Sequence, residues 1–231
     1  MSDLLVIVPT RGRPQNAQAF YDSWIANTDD TNLLFVTDED DPLLGTYNYR
    51  KPMMSRASWM TVPPKLRLCG ALNHAATYFA VDYKYLAFMG DDHRCRTLHW
   101  DKMVREAIGD RRVAVVYGND LLQGEKMPTA VAMTSNIVST LGYMAPQSLE
   151  HLCLDLCWLD WANALDCRIY LDNVVIEHLH PANGKADMDA GYRLANGHEQ
   201  VNRDAKAYFA YKDSGGLARD VAKLKKLCSN V

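Results

Sequence analysis

Three short apolar segments, each followed by polar residues, constrain the fold of this chain more than any other feature. They span residues 4–8, 32–37 and 84–89, and amphipathic stretches at residues 14–25 and 66–81 separate them. A strand of a parallel sheet is apolar on both faces, whereas an amphipathic helix repeats its apolar residues at a period near 3.6. The alternation therefore predicts an α/β fold with a mostly parallel central sheet and helices on both faces.

The composition is that of a globular protein. The chain has 231 residues, of which 48% are hydrophobic and 23% charged, and its formal net charge of −3 gives no overall basic field for binding polyanions. The first apolar run is about five residues long and follows an acidic residue, unlike a secretory signal, and no run approaches the roughly 20 residues of a membrane span. We therefore expect a cytoplasmic protein with no membrane span.

A basic turn follows the first apolar segment. Residues 9–14 read Pro-Thr-Arg-Gly-Arg-Pro. Gly12 lets the backbone pass close to a ligand, and the guanidinium groups of Arg11 and Arg13 beside a helix start suit phosphate oxygens. The alternative is a solvated turn with two surface arginines. The glycine spacing is neither that of a P-loop nor that of the dinucleotide-binding fingerprint.

Acidic residues follow the second and third apolar segments. Asp38 comes directly after the second segment, where a carboxylate can bind a ribose or a base N–H group. Asp91 and Asp92 end the third segment, and adjacent carboxylates repel each other unless a cation or hydrogen-bond donors hold them. Mg²⁺ and Mn²⁺ bind carboxylate together with phosphate oxygens, which favours a divalent-cation site here. The alternative is that the pair caps the following helix.

Taken together, these motifs resemble those of a known family. Residues 9–14, Asp38, residues 70–76 and residues 88–93 are similar to the nucleotide-sugar half of GT-A-fold glycosyltransferases, particularly the family 2-like group. The resemblance implies a single Rossmann-like GT-A domain at residues 1–182, with a nucleotide-sugar half (1–116) and an acceptor half (117–182). We expect a mobile loop and C-terminal helices (183–231) to form a helical appendage.

The same resemblance assigns roles to residues of the donor half. It implies that the turn and the acid after the second strand bind the nucleotide, that the helix carrying Asn73 packs under the sugar-nucleotide, and that a DxD-type motif holds the metal and diphosphate. The residues so assigned are Pro9, Thr10, Arg11, Arg13, Asp38 and Asn73. In this chain the motif reads Gly-Asp-Asp-His. Asp92 is the first choice for the metal ligand and Asp91 for a contact with ribose or a metal-bound water, and His93 is a further alternative.

The acceptor half contains further candidates. Asp155 stands where the family has its catalytic base; the alternative is a structural ion pair with an arginine. His178 and His180 are two apart at the end of an apolar run, so in a strand they face one side and suit a metal or a diphosphate. We lean to His180. Lys185, in a glycine-containing segment, is expected to close over the diphosphate or to be a solvated lysine.

Residues 42–64 are irregular in sequence and predict a long loop. Around it, aromatic and basic residues interleave: Tyr47, Tyr49, Arg50, Lys51, Arg56, Trp59, Lys65 and Arg67. Aromatic rings stack on sugars or bases while cations contact phosphates, so this set suits recognition of either the acceptor or the donor. Lys65 is assigned to the nucleotide-sugar site. The alternative is an ordinary loop packed by its own aromatic side chains.

These observations predict a metal-dependent glycosyltransferase, either a hexosyl- or a pentosyltransferase. We expect a nucleotide diphosphate-sugar donor, first of all a UDP-sugar, with Mn²⁺ or Mg²⁺ as cofactor. The acceptor is open among a saccharide, a protein, a lipid and a hydroxylated nucleic-acid base. The alternatives are a non-catalytic sugar- or nucleotide-binding module and a metal-dependent nucleotidyltransferase.

Overall fold

The computed structural model describes residues 2–228, in which eight strands form a single sheet. The strands are β1 (Leu4–Pro9), β2 (Asn32–Asp38), β3 (Ala57–Val62), β4 (Tyr85–Phe88), β5 (His93–Cys95), β6 (Val115–Asn119), β7 (Val131–Thr134) and β8 (Arg168–His178). Their order across the sheet is β3-β2-β1-β4-β7-β6-β8-β5. All run in one direction except β5 and β7, so the predicted mostly parallel sheet is confirmed.

Helices cover both faces of this sheet. They are α1 (Pro14–Asn27), α2 (Leu44–Arg50), α3 (Arg67–Phe79), α4 (Trp100–Ile108), α5 (Ser135–Leu141), α6 (Leu154–Ala164), α7 (Ala190–Ala195), α8 (His198–Asp213) and α9 (Gly216–Cys228). Successive strand residues point to opposite faces. Leu4 and Val6 of β1 accordingly enter one apolar cluster with α1 and α4, while Leu5 and Ile7 enter the other with α3, α5 and α6.

The prediction of a long loop at residues 42–64 is wrong. This segment forms α2, a 3₁₀ helix (Lys51–Met54) and the edge strand β3. Tyr47 and Met54 are fully buried, and the Trp59 ring stacks on Phe35 with 4.7 Å between centroids. The irregular pattern has a physical reason: β3 is an edge strand with only β2 as a neighbour, and all of its residues except Val62 are half-buried or exposed.

The C-terminal helices pack on the same core as the sheet. Tyr208 of α8 and Leu224 of α9 are buried in the cluster that contains α6. Trp161 of α6 donates its indole N–H to Tyr211 Oη at 2.9 Å. The segment predicted as a mobile loop contains α7. Residue 1 and residues 229–231, at the ends of the predicted units, lie outside the described part of the chain.

The topology brings several strand ends to one edge. The carboxyl ends of β1, β2 and β4 are neighbours, and the Thr10 backbone N–H donates to Val36 O at 2.9 Å. Ligands of doubly wound folds bind at this edge. Within residues 2–228, no helix has both the length and the apolar character needed to cross a membrane.

Asp101 gives a first test of the fold. It is fully buried in the first turn of α4 and accepts hydrogen bonds from the backbone N–H groups of Asp29 and Asp30 and from the side chains of Thr31 and Arg105. Burial alone would raise its pKa, but these donors outweigh burial and lower the pKa from 3.8 to about 2. The charged form is therefore favoured in the folded state, by about 2 kcal/mol.

We expect Asp101→Asn to lower the free energy of unfolding by about 2 kcal/mol at pH 7, because an amide N–H₂ replaces an acceptor oxygen. The folded-state pKa is depressed, so the contribution of Asp101 is complete above pH 4 and is lost as the pH falls towards 2. Urea unfolding at pH 7 and pH 3 should show a smaller difference between variant and wild type at pH 3. Equal differences at the two pH values would contradict this explanation.

Candidate nucleotide-diphosphate and metal site

The edge of the sheet where β1, β2 and β4 end borders a cavity of about 1040 Å³. Most of the predicted site residues line it: Pro9, Thr10, Arg11, Arg13, Asp38, Lys65, Asp91, Asp92, Asp155, His178 and His180. These residues come from both predicted halves of the chain. Of the predicted set, Asn73 and Lys185 are not part of the cavity wall.

The turn after β1 is fixed by hydrogen bonds to its neighbours. Gly12 has a φ of +69°, which favours glycine, and its N–H donates to Asp41 Oδ2 at 2.8 Å. Tyr47 Oη accepts the Arg13 backbone N–H at 2.8 Å. Arg11 Nη1 lies 3.1 Å from Asp38 Oδ2, while Asp38 Oδ1 is buried without a partner in residues 2–228. An unpaired buried oxygen here suits a ligand N–H or O–H group.

The acid pair lies at the base of the cavity. Asp91 accepts the Thr10 hydroxyl at 2.6 Å, and Arg13 Nη1 lies 3.5 Å from Asp91 and 3.8 Å from Asp92. Burial and the charge of Asp92 raise the pKa of Asp91 to about 7. Burial would also raise the pKa of Asp92, but His178 and His93 outweigh it and hold that pKa well below its usual value. Asp92 is therefore the carboxylate that stays ionised.

Asp92, His93 and His178 form a cluster whose potential ligand atoms lie within 4.8 Å of one another. Asp92 Oδ1 is 3.7 Å from His178 Nε2, and the two imidazole rings stack with 4.3 Å between centroids. His93 Nδ1 already accepts the Gly90 N–H at 3.0 Å. A carboxylate with imidazole suits Mn²⁺, and His93 Nε2, which is buried without a hydrogen-bond partner in the described chain, suits a bound ligand. The residues present fit a divalent ion.

Three predicted residues have other contacts. His180 lines the cavity but does not belong to the cluster of Asp92, His93 and His178. Its Nδ1 accepts the Ala182 N–H at 3.0 Å. The structure therefore favours His178 over His180 as a metal ligand. Lys185 Nζ pairs with Glu177 at 2.6 Å. Asn73 uses its amide to fix the backbone of residues 144–145, which gives it a structural role in this structure.

The sequence analysis missed two residues at α7, the N-cap Asp189 and Tyr192. Tyr192 Oη donates to Asp92 Oδ2 at 2.5 Å, and the Arg13 guanidinium lies over the Tyr192 ring, 4.2 Å from its centroid. Asp189 pairs with Arg13 Nη2 at 2.7 Å. This segment therefore covers the acid pair. Asp189 could have been recognised in the sequence as the N-cap of a helix, but an N-cap does not predict where the helix packs.

Asp155 lies in the first turn of α6 and lines the cavity. Its Oδ1 accepts the Leu156 N–H at 2.9 Å, and burial raises its pKa. In the described part of the chain no arginine or lysine forms an ion pair with it, so the structural ion pair considered above is not found. A half-buried carboxylate with a raised pKa that lines a cavity has the properties of a proton acceptor.

Comparison with known proteins gives a match in structure but none in sequence. No protein-family model and no curated protein matches the sequence. S. aureus TarS, also solved as a fragment with UDP, shares 13% identity at a TM-score of 0.60 over 88% of this chain. The match covers 43% of the TarS chain, so this chain spans less than half of that protein.

Two other solved structures match over more of their own length. The mannosyltransferase PcManGT from Pyrobaculum calidifontis, in complex with GDP-Man and Mn²⁺, is 15% identical with a TM-score of 0.58, covering 97% of this chain and 80% of that chain. Glucosyl-3-phosphoglycerate synthase from Mycobacterium tuberculosis, with Mg²⁺ and UDP, is 11% identical with a TM-score of 0.55, covering 78% and 72%. Such identities show the fold alone. The predicted GT-A fold is confirmed.

Proposed function

We propose that this chain, which has the GT-A fold, transfers a sugar from a nucleotide diphosphate-sugar to an acceptor hydroxyl with the help of Mn²⁺ or Mg²⁺. The observation that carries the proposal is the Asp92, His93 and His178 cluster, which lies beside Arg13 at the carboxyl edge of the sheet. A cation-binding cluster next to a guanidinium suits a diphosphate, whose charge both would offset.

The proposed reaction depends on the control of charge. The acceptor oxygen attacks the anomeric carbon, the bond from that carbon to the diphosphate oxygen breaks, and the nucleoside diphosphate leaves with the electron pair. A bound divalent ion, held by Asp92 and His178, would neutralise the departing diphosphate. Arg13 is placed to contribute a second positive charge, once it exchanges Asp189 for phosphate. Asp155 takes the proton of the acceptor hydroxyl.

The nucleotide would lie between the β1 turn and the end of β2. The unpartnered Asp38 Oδ1 is available to a base N–H or a ribose hydroxyl, and exposed Lys65 to a phosphate. Among the structural matches, TarS and glucosyl-3-phosphoglycerate synthase have been solved with UDP and PcManGT with GDP-Man. We therefore propose a UDP-sugar as the donor and GDP-mannose as the second donor to test.

The test is slow hydrolysis of the donor in the absence of an acceptor. We expect release of UDP from a UDP-sugar in Mn²⁺, loss of that release when EDTA removes the metal, and its return when Mn²⁺ is added again. Calorimetry with UDP and Mn²⁺ on the same protein measures binding separately. Binding without any hydrolysis or transfer would favour the alternative of a non-catalytic binding module. Absence of nucleotide binding would overturn the proposal.

A further inference from the structure

His178 has one ring nitrogen whose role the proposed reaction does not explain. Its Nε2 faces the proposed metal site, 3.7 Å from Asp92 Oδ1, while Nδ1 is buried and has no hydrogen-bond partner in residues 2–228. The nearest carboxylate oxygen to Nδ1 is Asp120 Oδ2, at 4.0 Å. The two residues are also joined through the backbone, because His178 N–H donates to Asp120 O at 2.9 Å.

Asp120 is held in a single orientation. It is 2% exposed, and its Oδ1 accepts the backbone N–H groups of Leu122, Gln123 and Gly124 at 2.9, 2.7 and 2.8 Å. Its Oδ2 accepts the Thr129 hydroxyl at 2.7 Å. Three N–H donors require an acceptor at Oδ1, so the two carboxylate positions are not equivalent. Oδ2 is the oxygen on the side of His178.

We propose that Asp120 is a positioning residue for the metal site. It accepts the Nδ1–H of His178, which keeps the imidazole proton on Nδ1 and directs the lone pair of Nε2 towards the space beside Asp92. At 4.0 Å the two atoms are too far apart for a hydrogen bond, so the proposal requires the imidazole ring to move towards Asp120 by about 1 Å. Carboxylates that orient metal-binding histidines in this way raise metal affinity. The inference rests on the proposed metal site and not on the identity of donor or acceptor.

Asp120→Asn tests this arrangement because the two side chains have nearly the same shape. The three backbone N–H groups require the amide oxygen at the position of Oδ1, so the NH₂ group occupies the position of Oδ2. It then donates towards His178 Nδ1 instead of accepting from it. The neutral imidazole must carry its proton on Nε2, and a protonated Nε2 cannot bind a metal ion.

The experiment measures two properties of the whole protein. We expect Mn²⁺ affinity, determined by calorimetry, to fall about 10- to 100-fold in Asp120→Asn. Nitrogen-15 NMR of the metal-free protein should show the Nδ1–H tautomer of His178 in the wild type and the Nε2–H tautomer in the variant. Asp101→Asn is the matched control. Asp101 lies on α4 and, like Asp120, is a buried carboxylate that accepts hydrogen bonds from backbone N–H groups. This control variant should change neither property.

Each outcome is decisive. The Nε2–H tautomer in the wild type would overturn the proposal without any variant, and so would unchanged Mn²⁺ affinity in a folded Asp120→Asn protein. An equal loss of affinity in Asp101→Asn would also overturn it, because the effect would then be general destabilisation. If sugar transfer is never observed but the tautomer and the affinity behave as expected, this inference stands while the proposed function fails.

Discussion

Replacing Asp92 with asparagine is expected to weaken Mn²⁺-dependent UDP binding by at least about 100-fold while the protein stays folded. Asparagine is neutral, so the cluster loses its only negative charge and with it most of its attraction for a divalent cation. Asparagine has the size of aspartate and its oxygen can still accept the Tyr192 hydroxyl, which donates to Asp92 Oδ2 at 2.5 Å. Substitution also removes the repulsion with Asp91. The depressed pKa of Asp92 shows that the folded state favours its charged form, so the free energy of unfolding should still fall, and the relief of this repulsion offsets part of that loss.

Calorimetry with UDP, in Mn²⁺ and in EDTA, measures this effect, and melting temperature monitors the fold. Asp172→Asn is a suitable control, because Asp172 is an exposed acid on the same strand as His178. It removes one charge at a distance from the cavity and should leave Mn²⁺-dependent binding unchanged. If Asp92→Asn binds UDP in Mn²⁺ as tightly as the wild type, Asp92 is not a metal ligand and the proposed site is wrong.

The proximity of the residues proposed to bind the donor could be predicted, because it follows from the order of short-range features. Thr10, Asp38 and Asp91 each lie at the end of an apolar strand or just beyond it, and parallel neighbouring strands place such residues at one edge. In the structure, the hydrogen bond from Thr10 to Asp91 joins residues 81 positions apart. Strand periodicity alone was sufficient for this part, since no side chain had to be placed by packing.

The two histidines occupy different positions for a local reason. Alternation of faces places His178 and His180 on the same side only as long as the strand continues, and β8 ends at His178. His180 instead precedes a 3₁₀ helix (Pro181–Asn183) and accepts the Ala182 N–H. The end of a strand is among the least certain features of a sequence-based prediction, and here it decided which imidazole joins the cluster.

The contribution of the C-terminal helices could not be predicted from local sequence. Asp204 of α8 is fully buried and accepts the backbone N–H groups of Glu150, His151 and Leu152. His151 and Leu152 line the cavity, so α8 fixes one wall of the site. Nothing in the polar pattern of α8 indicates that this acid is buried against a loop more than 50 residues away. Such contacts arise from tertiary packing, as does the position of Tyr192 over Asp92.

The second large effect that we expect is the loss of sugar transfer in Asp155→Asn. A contact between α6 and α8 provides a control variant for it. Asp160, five residues further along α6, accepts hydrogen bonds from Lys212 and Tyr208 of α8 at 2.8 and 2.7 Å. Asp160→Asn breaks an ion pair between two helices without altering the cavity wall. It should lower the melting temperature while the transfer rate of the folded protein is retained.

Asp155→Asn is expected to behave in the opposite way, with transfer reduced by about 10²- to 10⁴-fold at nearly unchanged donor affinity and stability. The amide oxygen can still accept the Leu156 N–H, but the amide cannot take a proton from the acceptor hydroxyl at neutral pH. No ion pair of Asp155 exists within residues 2–228, so its neutral replacement leaves no cation unpaired, and burial already disfavours the charge. Donor affinity, melting temperature and transfer rate should be measured on one preparation of each variant. A parallel fall in all three would indicate a structural role for Asp155. Full transfer activity in a stable Asp155→Asn protein would exclude it as the base and would require another acid or a retaining mechanism.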